Sequence, residues 1–261
     1  MSLLTLPEPA HWPEGQRRLT KLTLAVALFV AIGIFVGVRE IANGNLLEGA
    51  VAFGFLPLFL AVVIAVQLMS RRPTVLRASH DRTGTVFRPN RVITTVAFSL
   101  LVYFIPFGLA VVALTLTGQL HLFASRHGQA VAVIGMALAT CTALTGLLTA
   151  WRRGGVGYVK LTPTGVEVAD IKSTEIVAWE DVVGVDDHSE VNKKTRKAVV
   201  LRRRDGTEKT IDGCDFYVPN GVGLYWMVRH YWHHADDRPE LTDDRAMVRL
   251  GEGRFDTSED G

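Results

Sequence analysis

The sequence predicts an α+β membrane protein: a four-helix transmembrane bundle followed by a small β domain capped by one C-terminal helix. Three observations carry this. Four long stretches contain no Asp, Glu, Lys or Arg, namely Leu22–Val38, Gly49–Met69, Val92–Ser125 and Gln129–Ala150. The overall charge of +2 hides two unlike halves, with 11 Lys/Arg against 5 Asp/Glu in residues 1–151 and 17 against 21 in residues 152–261. Beyond residue 157 the apolar period falls to two, then returns to that of a helix near the C-terminus.

Each apolar stretch is read as a helix because lipid leaves the backbone no partner but itself. Crossing a core of about 30 Å takes about 20 residues. The first stretch, with 17 uncharged residues, sits at the lower limit. Arg17-Arg18 before it resembles the start of an export signal, but no small-x-small cleavage site follows Val38, so it is read as a retained span. Arg17, Arg18, Lys21, Arg71, Arg72, Arg77, Arg82, Arg88, Arg91, Arg152 and Arg153 all fall on one side of a four-pass topology, against Arg39 and Arg126 on the other. The positive-inside rule therefore places both termini in the cytoplasm of a multi-pass cell (inner) membrane protein. Trp12 and Trp151 suit anchoring at that interface.

The organisation that results is a cytoplasmic segment (1–21), a four-pass region (22–151) with a cytoplasmic hairpin at 70–91, a soluble domain (155–235) and an acidic, partly disordered tail (236–261). The spans hold no Asp, Glu, Lys or Arg, the charges an ion or proton path generally needs. Thr140, Thr142, Thr145 and Thr149 are read as bonding their own helix carbonyls or a neighbour. Gly33 and Gly37 form a G-x-x-x-G pair for close helix packing, within the chain or in a homo-oligomer. Pro57 and Pro106 should kink the second and third spans.

In the soluble half, Tyr158–Thr162 and Val166–Val168 alternate around the turn Thr162-Pro163-Thr164-Gly165, which makes a hairpin. Glu175–Trp179 and Val182–Val185 are β-branched strand candidates. Lys197–Arg204 runs through Asp205-Gly206 into Thr207–Ile211, a second hairpin. After Pro219-Asn220, Leu224, Met227, Val228 and Tyr231 recur at helical spacing. Trp179 and Trp226 are expected to be buried.

That order resembles the bacterial pleckstrin-homology-like domains, and the layout after helical spans resembles the membrane-anchored actinobacterial type. The residues carrying the resemblance are Val159–Thr162 with Gly165, the block Ile176–Val185, and Arg204-Asp205-Gly206-Thr207 before the helix. The resemblance covers about residues 157–235 and implies a bent β-barrel or sandwich closed by the C-terminal helix. An edge strand looks to be missing. Thr74–Arg77 and Thr85–Arg88 around Asp81-Arg82-Thr83-Gly84 form another hairpin pattern, on the same side, that is expected to supply it.

Chemistry-bearing groups are few. His230, His233 and His234 with Cys214 invite a metal reading, but they lack a carboxylate in the same motif and suit a packed helix end, so no metal or cofactor is expected. Asp186–Glu190 offers acid, base and hydroxyl, yet neighbours on a strand point to opposite faces, so a solvated loop is the plainer reading. No phosphate loop, nucleophile elbow, zinc-protease helix or C-x-x-C pair occurs, and no catalytic residue is assigned. Cys141 is read as a packing residue and Cys214 as a lone thiol. Lys193, Lys194, Arg196, Lys197, Arg202, Arg203, Arg204 and Lys209 place eight cations within 17 positions. Two readings stay open. One is contact with anionic membrane lipid, chiefly through Lys193, Lys194, Arg196, Lys197, Arg202 and Arg204. The other is a solvated hairpin with pairs inside it to Glu208 and Asp205. Nucleic acid is not expected, because no aromatic residues interleave these charges. The functional expectation is a non-enzymatic membrane scaffold that binds a protein partner, anionic lipid or both. The alternative is a transporter or channel subunit that uses the bundle.

Overall fold

The structure, a computed structural model, describes residues 6–12, 15–71, 76–121, 125–152, 155, 157–170, 173–192 and 195–257, with the backbone alone for 15–22, 65–71 and 93. The chain forms two compact units. One comprises Gln16–Arg71 and Val92–Gly154, and the other Met1–Gly15, Arg72–Arg91 and Gly155–Gly261.

The first unit holds α1 (Gly15–Ala42), α2 (Leu46–Gly54), α3 (Leu56–Arg71), α4 (Arg91–Leu116) and α5 (Arg126–Arg152). Among the described residues, four stretches are long and apolar enough to cross a membrane: Thr23–Ala42, Leu46–Ile64, Thr94–Leu116 and Arg126–Arg152. Only 11% of the first three windows and 17% of the fourth is buried, so most of their apolar surface requires a hydrocarbon surround. This is a multi-pass membrane region. The second span breaks at Phe55, two residues before Pro57, whereas Pro106 lies inside a continuous α4. Gly33 and Gly37 serve contacts within the chain. A Cβ on Gly33 would come within 2.9 Å of Leu56, and one on Gly37 within 2.9 Å of the Phe53 ring. Val51, Val111 and Leu120 form the apolar centre, with Phe55 and Phe107 edge to face at 5.0 Å. Thr140, Thr142 and Thr149 donate to the carbonyls of Met136, Leu138 and Thr145, as expected of hydroxyls in lipid.

The second unit contains two antiparallel sheets. The larger has the order β1 (Ala78–Asp81), β2 (Gly84–Phe87), β3 (Tyr158–Thr162), β4 (Gly165–Ala169), β5 (Thr174–Ala178). The smaller has the order β6 (Val182–Asp186), β7 (Val199–Arg203), β8 (Glu208–Ile211). The hairpin from the loop between the second and third spans thus supplies two strands. It turns at Arg82-Thr83, with Asp81 capping the Thr83 and Gly84 amides, and pairs Thr85 with Leu161 and Phe87 with Val159. Gly84 is required where β2 meets β3, since a Cβ there would stand 2.3 Å from the Leu161 carbonyl oxygen.

Helix α6 (Val222–His233) follows, entered through Asn220 and Gly221, both at positive φ. Leu224, Met227, Val228 and Tyr231 are fully buried, as their spacing predicts. They share one core with Phe87, Val159, Leu161, Val166, Trp179, Val199, Leu201 and Ile211, so both sheets and the helix enclose a common interior. Burying apolar area at about 25 cal/mol per Å² is the main term holding this unit together.

Two expectations are corrected and a third is filled out. The sheets do not close into a barrel: among the described residues no ladder joins β5 to β6, because a 3-10 turn at Trp179–Asp181 ends one sheet and starts the other. The acidic tail, in which Leu241, Met247, Val248 and Leu250 suggest a short helix, is ordered through residue 252 and packs into the core. A 3-10 segment (Ala235–Thr242) and α7 (Arg245–Glu252) bury Leu241 and Ala246 completely, and the Leu241 carbonyl accepts from the buried Thr85 hydroxyl at 2.7 Å. The disorder expected from Asp256 onward falls mostly outside the described residues. Trp12 is not an interfacial anchor. It is buried in the soluble core, and its indole N–H donates to the Ala198 carbonyl at 3.1 Å.

Candidate functional site

The basic stretch around β7 is the site expected from sequence, and its charges are largely satisfied internally. Lys193 and Lys194 lie outside the described residues. Arg196 pairs with Asp215 and lies over the Phe216 ring at 5.2 Å. Lys197 pairs with Glu8 at 2.8 Å and faces the Trp12 ring at 5.5 Å. Arg202 pairs with Asp186, and Arg203 with Glu175. Lys209 reaches the same Glu175 at 2.9 Å. Arg204 donates to the Glu180 carbonyl at 3.1 Å. The Lys209 hydrogen bond, opposed by partial burial and aided by Arg203, holds the Glu175 carboxyl below the usual carboxylate range. Between these pairs, β5 is tied to β7 and β8. The carboxylates that hold these cations, Asp215, Glu8, Asp186 and Glu175, are not the Asp205 and Glu208 of the hairpin itself, which accept instead from the Thr207 and Ser189 hydroxyls.

The helix-end histidines also act structurally. His230 contacts Asp237 through Nε2 at 2.9 Å and stacks on His234 with ring centroids 4.4 Å apart. Its buried Nδ1 has no hydrogen-bond partner among the described residues. Burial first, then Arg249 and His234, pushes the imidazole below its ordinary range, so it favours the neutral form. Arg249 bonds both oxygens of Glu240 at 2.7 Å and reaches Asp237 at 3.1 Å, clasping α7 to the preceding segment. Cys214 is fully buried and accompanied by Ile211 and Val218, with its thiol pushed up by desolvation. It does not join the histidines in a group of metal-ligating atoms among the described residues.

A different cluster gathers at the end of β6. Asp187 follows the strand, His188 is its neighbour, and His11 arrives from the N-terminal segment. The His11 ring Nδ1 lies 3.1 Å and the His188 ring Nδ1 2.8 Å from the same oxygen, Asp187 Oδ1. Asp187 Oδ2 accepts the His11 backbone N–H at 2.8 Å. Burial works to raise the Asp187 carboxyl, but the hydrogen bonds from His188 and His11 outweigh it and hold the group below its usual range. The segment carrying His11 is fixed on both sides. Pro7 accepts the Trp226 indole N–H at 2.9 Å, Glu8 pairs with Lys197, and Trp12 is buried. The loop carrying His188 is fixed too, by Arg202 on Asp186 and by the Ser189 hydroxyl on Glu208 at 2.6 Å. Sequence reading missed this site because its parts lie 176 residues apart. Two of its three members lie in the Asp186–Glu190 run, read from sequence as a solvated loop, but adjacent Asp187 and His188 do meet, and nothing local points to His11.

Searches of known family models, curated proteins and solved structures find no match to this chain.

Proposed function

We propose that the protein is a non-enzymatic scaffold of the cell (inner) membrane, whose pleckstrin-homology-like soluble unit faces the cytoplasm and docks a protein partner. The observation that carries this reading is the composition of that unit. It collects the segment before the first span, the loop between the second and third, and the chain after the fourth. Four crossings leave those three segments on one side, and that side bears the basic loops. Two antiparallel sheets followed by a helix also fit the order expected of the pleckstrin-homology-like class, with the missing edge provided by the β1–β2 hairpin.

Internal pairing of the basic stretch favours a protein partner over anionic lipid. An exposed cation attracts a leaflet with about 1 kcal/mol, but one already held by a carboxylate has that attraction largely cancelled. The apolar interior of the bundle supports an anchor rather than a conduit. On the soluble unit, Ile176 on the outer strand β5 is 68% exposed and Val183 on β6 is 53% exposed. An outer strand with an exposed apolar side chain offers both backbone groups and burial to a partner strand. Reporter fusions after residue 80 and at the C-terminus should read as cytoplasmic, and those after 43 and 123 as external. A protein should co-purify with the intact chain in mild detergent and be lost from the Ile176→Asp/Val183→Asp double variant. An external readout after residue 160, or equal capture by both forms, would overturn the proposal.

A further inference from the structure

We propose that His11, Asp187 and His188 form a binding site for a divalent transition-metal ion of the zinc type, which would fasten the N-terminal segment to the soluble unit. One ligating atom from each residue lies within 4.8 Å of the others. Zinc bound tetrahedrally at about 2.0–2.1 Å separates neighbouring donors by about 3.4 Å. The two imidazole nitrogens already stand 3.1 and 2.8 Å from the shared carboxylate oxygen. Opening each gap by a few tenths of an ångström makes room for the ion. The two imidazole rings are 4.4 Å apart and tilted by 41°, so neither blocks the other's approach.

The chemistry of the donors fits the ion. Imidazole suits zinc, nickel and copper, and one carboxylate with two imidazoles leaves a fourth position for water. Without metal, two ring nitrogens crowd one oxygen; a single cation would satisfy the same three atoms, with each neutral ring carrying its proton on the solvent-facing Nε2. The other carboxylate oxygen keeps its bond from the His11 backbone, the kind of outer contact that orients a ligand. Both histidine side chains are open to solvent, at 65% and 48% exposure, while Asp187 is only 10% exposed. The ion thus has a route in, and the carboxylate that receives it is held. Anchors on both sides of His11 and of the His188 loop mean the fold, not a chance contact, brings the donors together.

The consequence is mechanical. His11 lies four residues before α1, the first spanning helix, so an ion here would close a loop of 176 residues between the approach to the membrane and the end of β6.

The test uses the full chain in detergent, prepared without a polyhistidine tag and stripped with a chelator. Titration calorimetry with zinc chloride should show one equivalent bound per chain, and cobalt(II) should give the absorption of a tetrahedral site. His11→Ala and His188→Ala should each weaken binding at least tenfold, and the double variant should abolish it. His233→Ala should leave it unchanged. Zinc should raise the melting temperature of the wild type and not that of the double variant. Asp187→Asn would test the carboxylate, but the two exposed histidines carry the decision should that variant fail to fold. Absence of one-equivalent binding, or its persistence in the double-histidine variant, would overturn the site.

Discussion

Removing the Phe87 ring should destabilise a domain whose neighbouring strand begins some 70 residues further along the chain. Phe87 ends β2, pairs with Val159 of β3 and is wholly buried. Truncating a buried Phe to Ala costs about 3–5 kcal/mol, from lost transfer energy plus the cavity left behind. Total stability of a domain is about 5–15 kcal/mol, so the change removes a large share of it. A unit of this size loses about 3–5 °C of melting temperature per kcal/mol, which gives a fall of about 10–20 °C for Phe87→Ala. Trp12, Trp179, Trp226 and Trp232 lie in this unit and only Trp151 lies outside it, so tryptophan fluorescence in detergent reports its melting almost selectively. Hydrogen exchange should at the same time show the amides of Thr85–Phe87 protected in the wild type and fast in the variant. A melting temperature within about 2 °C of wild type, or fast exchange across residues 78–87 in both proteins, would refute the docking of the hairpin.

Trp226→Ala should cost a similar ~3–5 kcal/mol and free the N-terminal segment, because its indole holds the Pro7 carbonyl; unchanged protease resistance around residues 6–12 would contradict this. Glu175→Gln tests the clasp between β5 and the second sheet. The folded carboxyl is held low, so its contribution is present above the unfolded value of about 4.3 and disappears as pH falls through the folded value. At 39% exposure that contribution is worth about 0.5–1 kcal/mol, so wild type should melt a few degrees above the variant at pH 7. The gap should narrow as pH falls below the unfolded carboxyl range and close only below the lower folded value. Gly37→Leu should overpack α1 against Phe53 at a cost of about 1–3 kcal/mol without changing the mass measured by light scattering; a change of mass with unaltered melting would instead assign the glycine pair to self-association. Cys214 should react with maleimide only as the soluble unit unfolds, since it is fully buried with its thiol pushed up; rapid labelling of the native chain at that position would show the core to be open.

Much of this fold can be read locally. The alternation in Tyr158–Ala169, the Asp205-Gly206 turn and the Leu224–Tyr231 face each state their structure within a dozen residues, because period and turn chemistry are short-range signals. The spans are legible for the same reason. What resisted reading depends on side chains meeting across long stretches of sequence. Leu241, Met247, Val248 and Leu250 hint at a short helix among the acids of the tail, but its packing into the core, with the Leu241 carbonyl on the Thr85 hydroxyl 156 residues away, is not written locally. Trp12 beside a membrane span carries the same local pattern as an interfacial anchor, and the partner that settles its place, Ala198, is 186 residues away. The joining of His11 to the Asp187–His188 pair is hidden for that reason also, although the Asp186–Glu190 run stands out for its acid, base and hydroxyl. The basic stretch was legible as charge but not as charge already spent: its acids, Glu8, Glu175, Asp186 and Asp215, are scattered through the chain.

The discontinuous sheet also imposes an order of events during synthesis. Strand β2 leaves the ribosome well before β3, its neighbour on the inner side, and two spanning helices are made between them. At about 5–20 residues per second, the roughly 70 intervening residues take about 4–15 s. Throughout that interval the hairpin waits with Phe87 uncovered and an unpaired flank of amides and carbonyls, while α4 and α5 are being threaded into lipid. A chain stalled after α5 would display a sticky half-sheet beside the membrane, and a fragment beginning at residue 155 would lack two strands of the five. Synthesis to the very end of α7 is therefore the step that seals the soluble unit, and any delay in the last membrane insertion lengthens the time for which it stands open.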